Sequence, residues 1–279
     1  MKLLPHIFVA ISLILPTTVL ADDLELINRP VNTSGLTGLL FTTSPYTLPK
    51  GRIEVGASVL TENSTIPQYT VSELPSFSIS AGIAQNGELA IQTRYFKKTI
   101  NNDIKERGMG DTELSYKWNF LPQSETSSMP SLALIVTGIA PTGERELDLG
   151  TVVHWGARLG LSAGAEIPWG DHVIGVYADG QMAVQDLSDA RYRDRYGLAN
   201  AGLILPISKY RNLQMFVEYN IVAGLARASF TGGDYTGITY GLRLVNERFN
   251  ISFGTQFLHK EAPGFDNSTR VIGMMSVKF

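Results

Sequence analysis

Arg158 and Glu166 share one parity of a run, Val153 to Ile167, in which every second residue is apolar. The apolar set is Val153, Trp155, Ala157, Leu159, Leu161, Ala163, Ala165 and Ile167, and His154, Gly156, Arg158, Gly160, Ser162, Gly164 and Glu166 lie between them. A period of two is the signature of a strand with one apolar and one wet face. On the wet face a guanidinium and a carboxylate can pair with each other or line a water-filled passage. The same parity, followed along the chain, collects Arg52, Glu54, Arg94, Glu113, Lys117, Arg158, Glu166, Asp179, Glu218, Arg243 and Lys278, six basic and five acidic side chains. Phe96, Tyr177 and Phe216 fall among them and offer apolar surface to an organic solute. Mixed signs argue against strong selectivity between anions and cations.

Catalysis is the rival chemistry. Outer-membrane lipid hydrolases built on barrels of this size use a strand-borne His with a Ser two residues on and an Asn partner, all facing the membrane. Here His154 is followed by Trp155 and Gly156, so a nucleophile is missing, and His154 reads as a polar lumen residue. His6, His172 and His259 are not spaced as the i, i+2 pair that a strand would offer a metal. Asp148, Asp186, Asp189, Asp194 and Asp234 fall in loops without the regular oxygen spacing of a calcium site. No catalytic residue, metal or cofactor is expected.

The elements that position these charges are strands. Fifteen alternating residues exceed the typical globular strand of about five or six, whereas about ten tilted residues cross a bilayer. Twelve such segments follow one another: 52–60, 76–83, 89–97, 113–120, 132–140, 153–167, 172–184, 196–205, 213–221, 238–244, 249–257 and 271–279. Connections after odd segments, near 61–73, 98–108, 141–150, 184–194, 223–236 and 260–269, are expected to be long. Those after even segments include Asn86-Gly87, a strong hairpin signal, and Asn246-Glu247-Arg248. Leu121 to Pro130 breaks the rule by being long. The fold class expected is all-β, a transmembrane antiparallel up-and-down barrel of about twelve strands over residues 51–279.

Bulk properties narrow the class. The 279 residues carry a net charge of −3, which gives no basic face for nucleic acid, and the absence of cysteine excludes a disulfide framework and a thiolate metal site. Residues 1–21 read as a signal peptide, with Lys2 at the start, an apolar core from Ile7 to Leu15 and a cleavage site after Ala21. Residues 22–50 hold Pro30, Gly35, Gly38, Pro45, Pro49 and the apolar run Leu39-Leu40-Phe41. They suit a leader hanging in the periplasm and a plug folded back into the barrel equally well.

Two stretches resemble a family of Gram-negative outer-membrane proteins named for the phenol-degradation meta-pathway cluster and described as transporters. One is Arg29-Pro30 with Thr47-Leu48-Pro49-Lys50-Gly51-Arg52-Ile53-Glu54-Val55-Gly56. The other is Gly110-Asp111-Thr112-Glu113-Leu114-Ser115-Tyr116-Lys117, continued through Pro130 to Ala140 and Pro141-Thr142-Gly143-Glu144. Tyr116 precedes Lys117 where the family has the reverse order. The aromatic C-terminus, Phe279, resembles the signal read by the outer-membrane insertion machinery. The resemblance implies a barrel in the outer membrane, surrounded by lipid and reached through that machinery after removal of the signal. It implies transport by association alone.

The function expected is passive passage of a small organic solute, hydrophobic or aromatic, through a lumen lined by the inward parity. Two other classes stay open: a non-conducting structural or envelope-assembly barrel, and, with less support, a lipid-modifying enzyme. The lumen itself has two readings, a narrow polar channel or an interior closed by Arg and Glu pairing across it, and a twelve-stranded barrel permits either.

Overall fold

A computed structural model describes residues 27, 29–65, 68–100, 103–123, 129–144, 152–169, 172–187, 195–207, 212–224, 234–260 and 267–279. The expected signal peptide, residues 1–21, lies outside them, as do Asp148, Asp189 and Asp194. No helix among the described residues is long and apolar enough to cross a membrane.

The chain forms one closed antiparallel barrel of twelve strands. In chain order these are β1 (Ile53–Thr65), β2 (Gln68–Ala84), β3 (Gly87–Thr93 continued by Tyr95–Ile100), β4 (Asp103–Met109 continued by Thr112–Leu121), β5 (Ser131–Ala140) and β6 (Val152–Trp169). Then follow β7 (His172–Leu187), β8 (Arg195–Pro206), β9 (Leu213–Gly224), β10 (Tyr235–Val245), β11 (Phe249–Lys260) and β12 (Ser268–Lys278). Each strand pairs with its chain neighbours, and β1 pairs with β12 from Glu54↔Lys278 to Ser64↔Ser268, which closes the ring and leaves no open seam between first and last strand. β3 and β4 are interrupted opposite one another, at Arg94 and at Gly110-Asp111, where Gly110 donates its N–H to the Arg94 carbonyl at 2.7 Å.

Alternation decides which face is which. Phe77, Ile79, Leu159, Leu161, Met182, Leu242, Phe253 and Met275 point outward and are exposed, while the intervening parity is buried. An apolar belt on the outside and a polar set inside is the inverse of a soluble sandwich. Trp118 and Phe120 touch at 5.9 Å on the outer face near one end, and Trp155 stands exposed towards the other.

The connections differ from expectation at two places. Segments 61–73 and 98–108 are not loops: β1 and β2 run on to a separation of two residues at 66–67, and β3 and β4 to 101–102. Apolar residues are too sparse there to mark a face, which hides a strand from hydropathy while leaving its backbone ladder intact. The long link after Leu121 has a different cause. It brings Gln123 under the lumen, where its side chain donates to the Glu166 carbonyl at 3.1 Å and accepts the Glu166 N–H at 2.9 Å.

The core of the molecule lies inside the barrel and is made by the segment preceding β1. Ile27, Val31, Leu39, Leu40 and Tyr46 pack against Leu60, Val173, Tyr177, Ile204, Phe216, Ile272 and Met274 from the wall. Leu36 packs on Ala90 and Ile135. This explains why β5 is apolar on both faces: Ala133, Ile135 and Ile139 point inward and are buried there. Inward glycines make the room. A Cβ added at Gly202 or Gly254 would run into Leu39 or Leu40, and one at Gly56 or Gly164 would strike Ser78 or Tyr177 of the wall and crowd Val31 or Pro45.

Candidate functional site

The described residues between 27 and 50 contain no strand that joins the barrel sheet; their two isolated bridges, Val31↔Thr37 and Gly38↔Thr43, are internal. Such a chain carries backbone groups that secondary structure does not satisfy, and burying them unpaired would cost about 1–3 kcal/mol each. The inward side chains of the wall meet that need. Glu218 accepts the N–H groups of Leu40 (3.2 Å), Phe41 (2.9 Å) and Thr42 (2.6 Å), a concave run of amides closed on one carboxylate. Glu88 accepts from Thr37 N–H at 2.8 Å and Leu48 N–H at 3.1 Å, Asp179 from Thr43 N–H at 2.8 Å, and Glu54 from Val31 N–H at 3.2 Å.

Carbonyls of the segment are met by donors. Arg243 reaches the Gly38 carbonyl at 2.8 Å, and Ser162 the Thr43 carbonyl at 2.6 Å. Lys117 donates to the Thr37 and Ser44 carbonyls at 3.3 and 3.2 Å while pairing with Glu88 at 3.1 Å. Gly35, at φ +81°, adopts the left-handed conformation that turns the chain back, with its N–H on the Asn32 carbonyl at 2.9 Å.

A latch closes the end of the barrel that carries Ile53 and Phe279. Glu166 accepts the Ile27 N–H at 2.9 Å and the Tyr177 hydroxyl at 2.8 Å and pairs with Arg29. The Arg29 guanidinium lies 3.7 Å over the Tyr46 ring, and the Tyr46 hydroxyl donates to Gln123 at 2.5 Å. Desolvation makes each of these contacts stronger than a surface pair and makes losing one partner costly.

Above the segment, towards the opposite end, a cavity of about 350 Å³ remains. Its floor includes Thr33, Ser34, Leu36, Phe41 and Thr43, and its wall includes Glu62, Arg94, Arg158, Tyr196, Tyr235 and Arg270. Arg158 grips both oxygens of Glu113, and Arg94 approaches the same carboxylate at 3.6 Å. Glu62 is held by Lys260 at 2.5 Å and Arg270 at 2.7 Å. A ladder of amides and hydroxyls joins the strands between: Asn220 donates to Asn200 at 2.9 Å and accepts from Gln256 at 2.8 Å and Thr239 at 3.2 Å.

The fourteen positions expected to line a lumen therefore separate into distinct places. Glu54, Lys117, Glu166, Asp179, Glu218 and Arg243 are buried against residues 27–50. Arg94, Glu113 and Arg158 form one cluster at the cavity. Tyr177 and Phe216 do not offer surface to a solute: both are 1 % exposed and packed in the core. Phe96 is half-buried beside Gly110.

Arg52 has the inward parity but precedes β1 and is exposed, because the wall has ended there; its carbonyl accepts the Gly82 N–H at 2.9 Å. Lys278, at the end of β12, is partly exposed for the same reason. His154 is not held in the lumen. The register shifts between Val152 and Gly156, parity is lost, and His154 pairs with Asp186 at 2.6 Å with 70 % of its side chain exposed. Phe279 donates its N–H to the Ile53 carbonyl at 2.8 Å and accepts from the Ile53 N–H at 3.2 Å, and its side chain is exposed.

Several inward positions escape a reading by segments. Glu88 adjoins the Asn86-Gly87 turn, yet its parity with Gln92 marks it as inward. Glu62 lies in a stretch that hydropathy assigns to a loop, and Arg270 falls between the expected loop 260–269 and the expected segment 271–279. Gly164 was legible as a small inward residue, though neither it nor Gly56, Gly202 and Gly254 could be read as the counterpart of a particular side chain.

The fold and its lumen define a twelve-stranded barrel of the outer-membrane type with a chain segment held inside it. Among solved structures, the COG4313 outer membrane channel from Pseudomonas putida F1 matches with a TM-score of 0.62 and 10% identity, over 84% of this chain and 97% of that one. LpxR from Salmonella typhimurium matches with a TM-score of 0.50 and 9% identity, over 80% of this chain and 99% of that one. At such identities the likeness is one of fold. No family model matches the chain, and no curated protein matches it.

Proposed function

We propose that this protein is a channel of the Gram-negative outer membrane for passive passage of a small organic solute, and that residues 27–50 are its plug. The signal is removed after Ala21, the insertion machinery reads Phe279, and the end bearing Ile53 and Phe279 faces the periplasm. The outward apolar belt supports lipid as the surroundings, since a charge on that face would cost about 2–4 kcal/mol near the midplane. The stretches around 47–56 and 110–117 support membership of the family named for the phenol meta-pathway cluster, and the COG4313 barrel of like fold is a channel.

One observation carries this reading. The material that fills the lumen is held to the wall by side chains, not by strand pairing, so it can leave without breaking the barrel ladder. A purely structural barrel would need no removable interior. A twelve-stranded wall stands between barrels filled by their own side chains and those with an open aqueous pore.

The test compares the full mature chain with a variant lacking residues 22–50, both folded in planar bilayers and in solute-loaded liposomes. The truncated barrel should conduct in stable steps and admit small neutral organics, and the full chain should conduct less and intermittently. If neither folded barrel passes current or solute, the channel reading fails and a structural role replaces it. If both are equally open, the plug role fails and the channel stands.

A further inference from the structure

Apart from Arg52 and Lys278 at the barrel's end, the inward charges that do not hold the segment gather at the cavity. Arg94 and Arg158 share the single carboxylate of Glu113, Arg158 also meets the Tyr196 hydroxyl, and the Nε atom of each guanidinium is buried with no hydrogen-bond partner among the described residues. Arg94 is the less engaged of the two, with a 3.3 Å bond to Gln92 and a 3.6 Å approach to Glu113. Arg270 also faces the cavity, with its guanidinium 5.1 Å from the Tyr235 ring. Among the described residues, Arg94, Arg158 and Arg270 line the space with Glu62 and Glu73, while behind them Lys260 pairs with Glu62 and Glu113 with the first two arginines, four cationic groups against three carboxylates. Phe41, Tyr196, Leu198 and Val222 supply apolar and aromatic wall between the charges.

We infer that this cavity binds a small organic monocarboxylate carrying a ring, its carboxylate at Arg94 and Arg158 and its ring against Tyr196, Leu198 and Phe41. An anion would supply the acceptor that a carboxylate shared by two guanidiniums does not provide, and guanidinium–carboxylate bonds are roughly twice as strong as neutral ones. A volume of about 350 Å³ is at the small end of ligand pockets, which suits one ring and one polar group. An organic cation would meet Arg94 and Arg158 first. A neutral solute would forgo the charge-assisted bonds. The inference deepens the channel reading and rests on it for the route of entry, while binding itself requires no passage.

The experiment titrates benzoate, benzyl alcohol and benzylammonium into the full mature chain folded in detergent, by calorimetry. Benzoate should bind saturably, more weakly as salt is raised, and benzyl alcohol and benzylammonium should bind at least tenfold more weakly. Arg94→Gln should weaken benzoate by about tenfold, the range for a lost charged hydrogen bond, and leave benzyl alcohol unchanged. Arg94→Gln keeps the two-pronged Arg158–Glu113 pair, so it tests the site even if an Arg94→Gln/Arg158→Gln double variant does not fold. Absent benzoate binding, equal binding of benzyl alcohol, or a folded Arg94→Gln barrel with unchanged benzoate affinity each overturns the assignment. Benzoate binding without flux in bilayers removes the channel and keeps the site; flux of benzyl alcohol without benzoate binding does the reverse.

Discussion

Thr42 donates its backbone N–H to Glu218 at 2.6 Å across 176 positions of chain, and the amides of Phe41 and Leu40 converge on the same carboxylate. A strand residue in the wall thus caps an irregular stretch in the lumen as an acidic side chain caps a helix. Glu218→Leu would strand three buried donors, at about 1–3 kcal/mol each. We expect hydrogen exchange at residues 40–42 to speed up by at least a hundredfold while exchange in β9 is unchanged. Unaltered protection at 40–42 would mean that the apolar contacts of Leu39 and Leu40 hold the segment without it.

Lys117 and Glu88 form a buried pair 3.1 Å apart, both fully enclosed. Removing one partner of such a pair costs roughly 3–5 kcal/mol, because the other is left charged and desolvated. Lys117→Met should therefore lower the urea midpoint of the folded barrel in vesicles. Combining it with Glu88→Gln should recover on the order of 1 kcal/mol, the sign of direct coupling. Additive losses would refute the pair as a unit.

Gly202 lies where an added Cβ would strike Leu39, and Gly138 where it would meet nothing within 4 Å. Gly202→Leu should push Leu39 out of its seat and raise conductance of the full chain towards that of the truncated one. Gly138→Ala, on the outer face, should leave conductance as it is. Equal conductance of wild type and Gly202→Leu, both folded, would show that Leu39 is not part of the closure.

Phe279 and Ile53 exchange two backbone hydrogen bonds at the seam where the barrel closes, and the Phe279 ring is exposed. Deleting Phe279 should reduce the heat-modifiable, folded fraction in outer membranes several-fold. Replacing it with Trp should restore that fraction, and replacing it with Ser should not. Full assembly of the Ser variant would confine the residue's role to its backbone.

The twelve segments, their outward parity and most turns were legible in the chain because a strand's two faces are written locally, in alternate residues. Strand ends were not. β1 to β4 run past the apolar belt into stretches whose apolar residues are too sparse to mark a face, and only pairings such as Ser64 with Tyr69 and Lys98 with Glu106 extend them. His154 was misplaced for a related reason. A register shift is set by the neighbouring strand, and one local slip reverses every inference from parity.

The same limit governs the site. Alternation placed Glu54, Glu166, Asp179 and Glu218 inside the barrel from residue types alone, since a carboxylate cannot sit on the belt. What those carboxylates bind depended on residues 27–50, more than a hundred positions away for Glu166, Asp179 and Glu218. Arg94 and Lys117 have the same inward parity, yet one faces a cavity and the other is sealed beneath it. Parity specifies a face. Depth along the axis, and with it which charges hold the interior and which remain for a ligand, is decided only when the barrel closes around its own N-terminal chain.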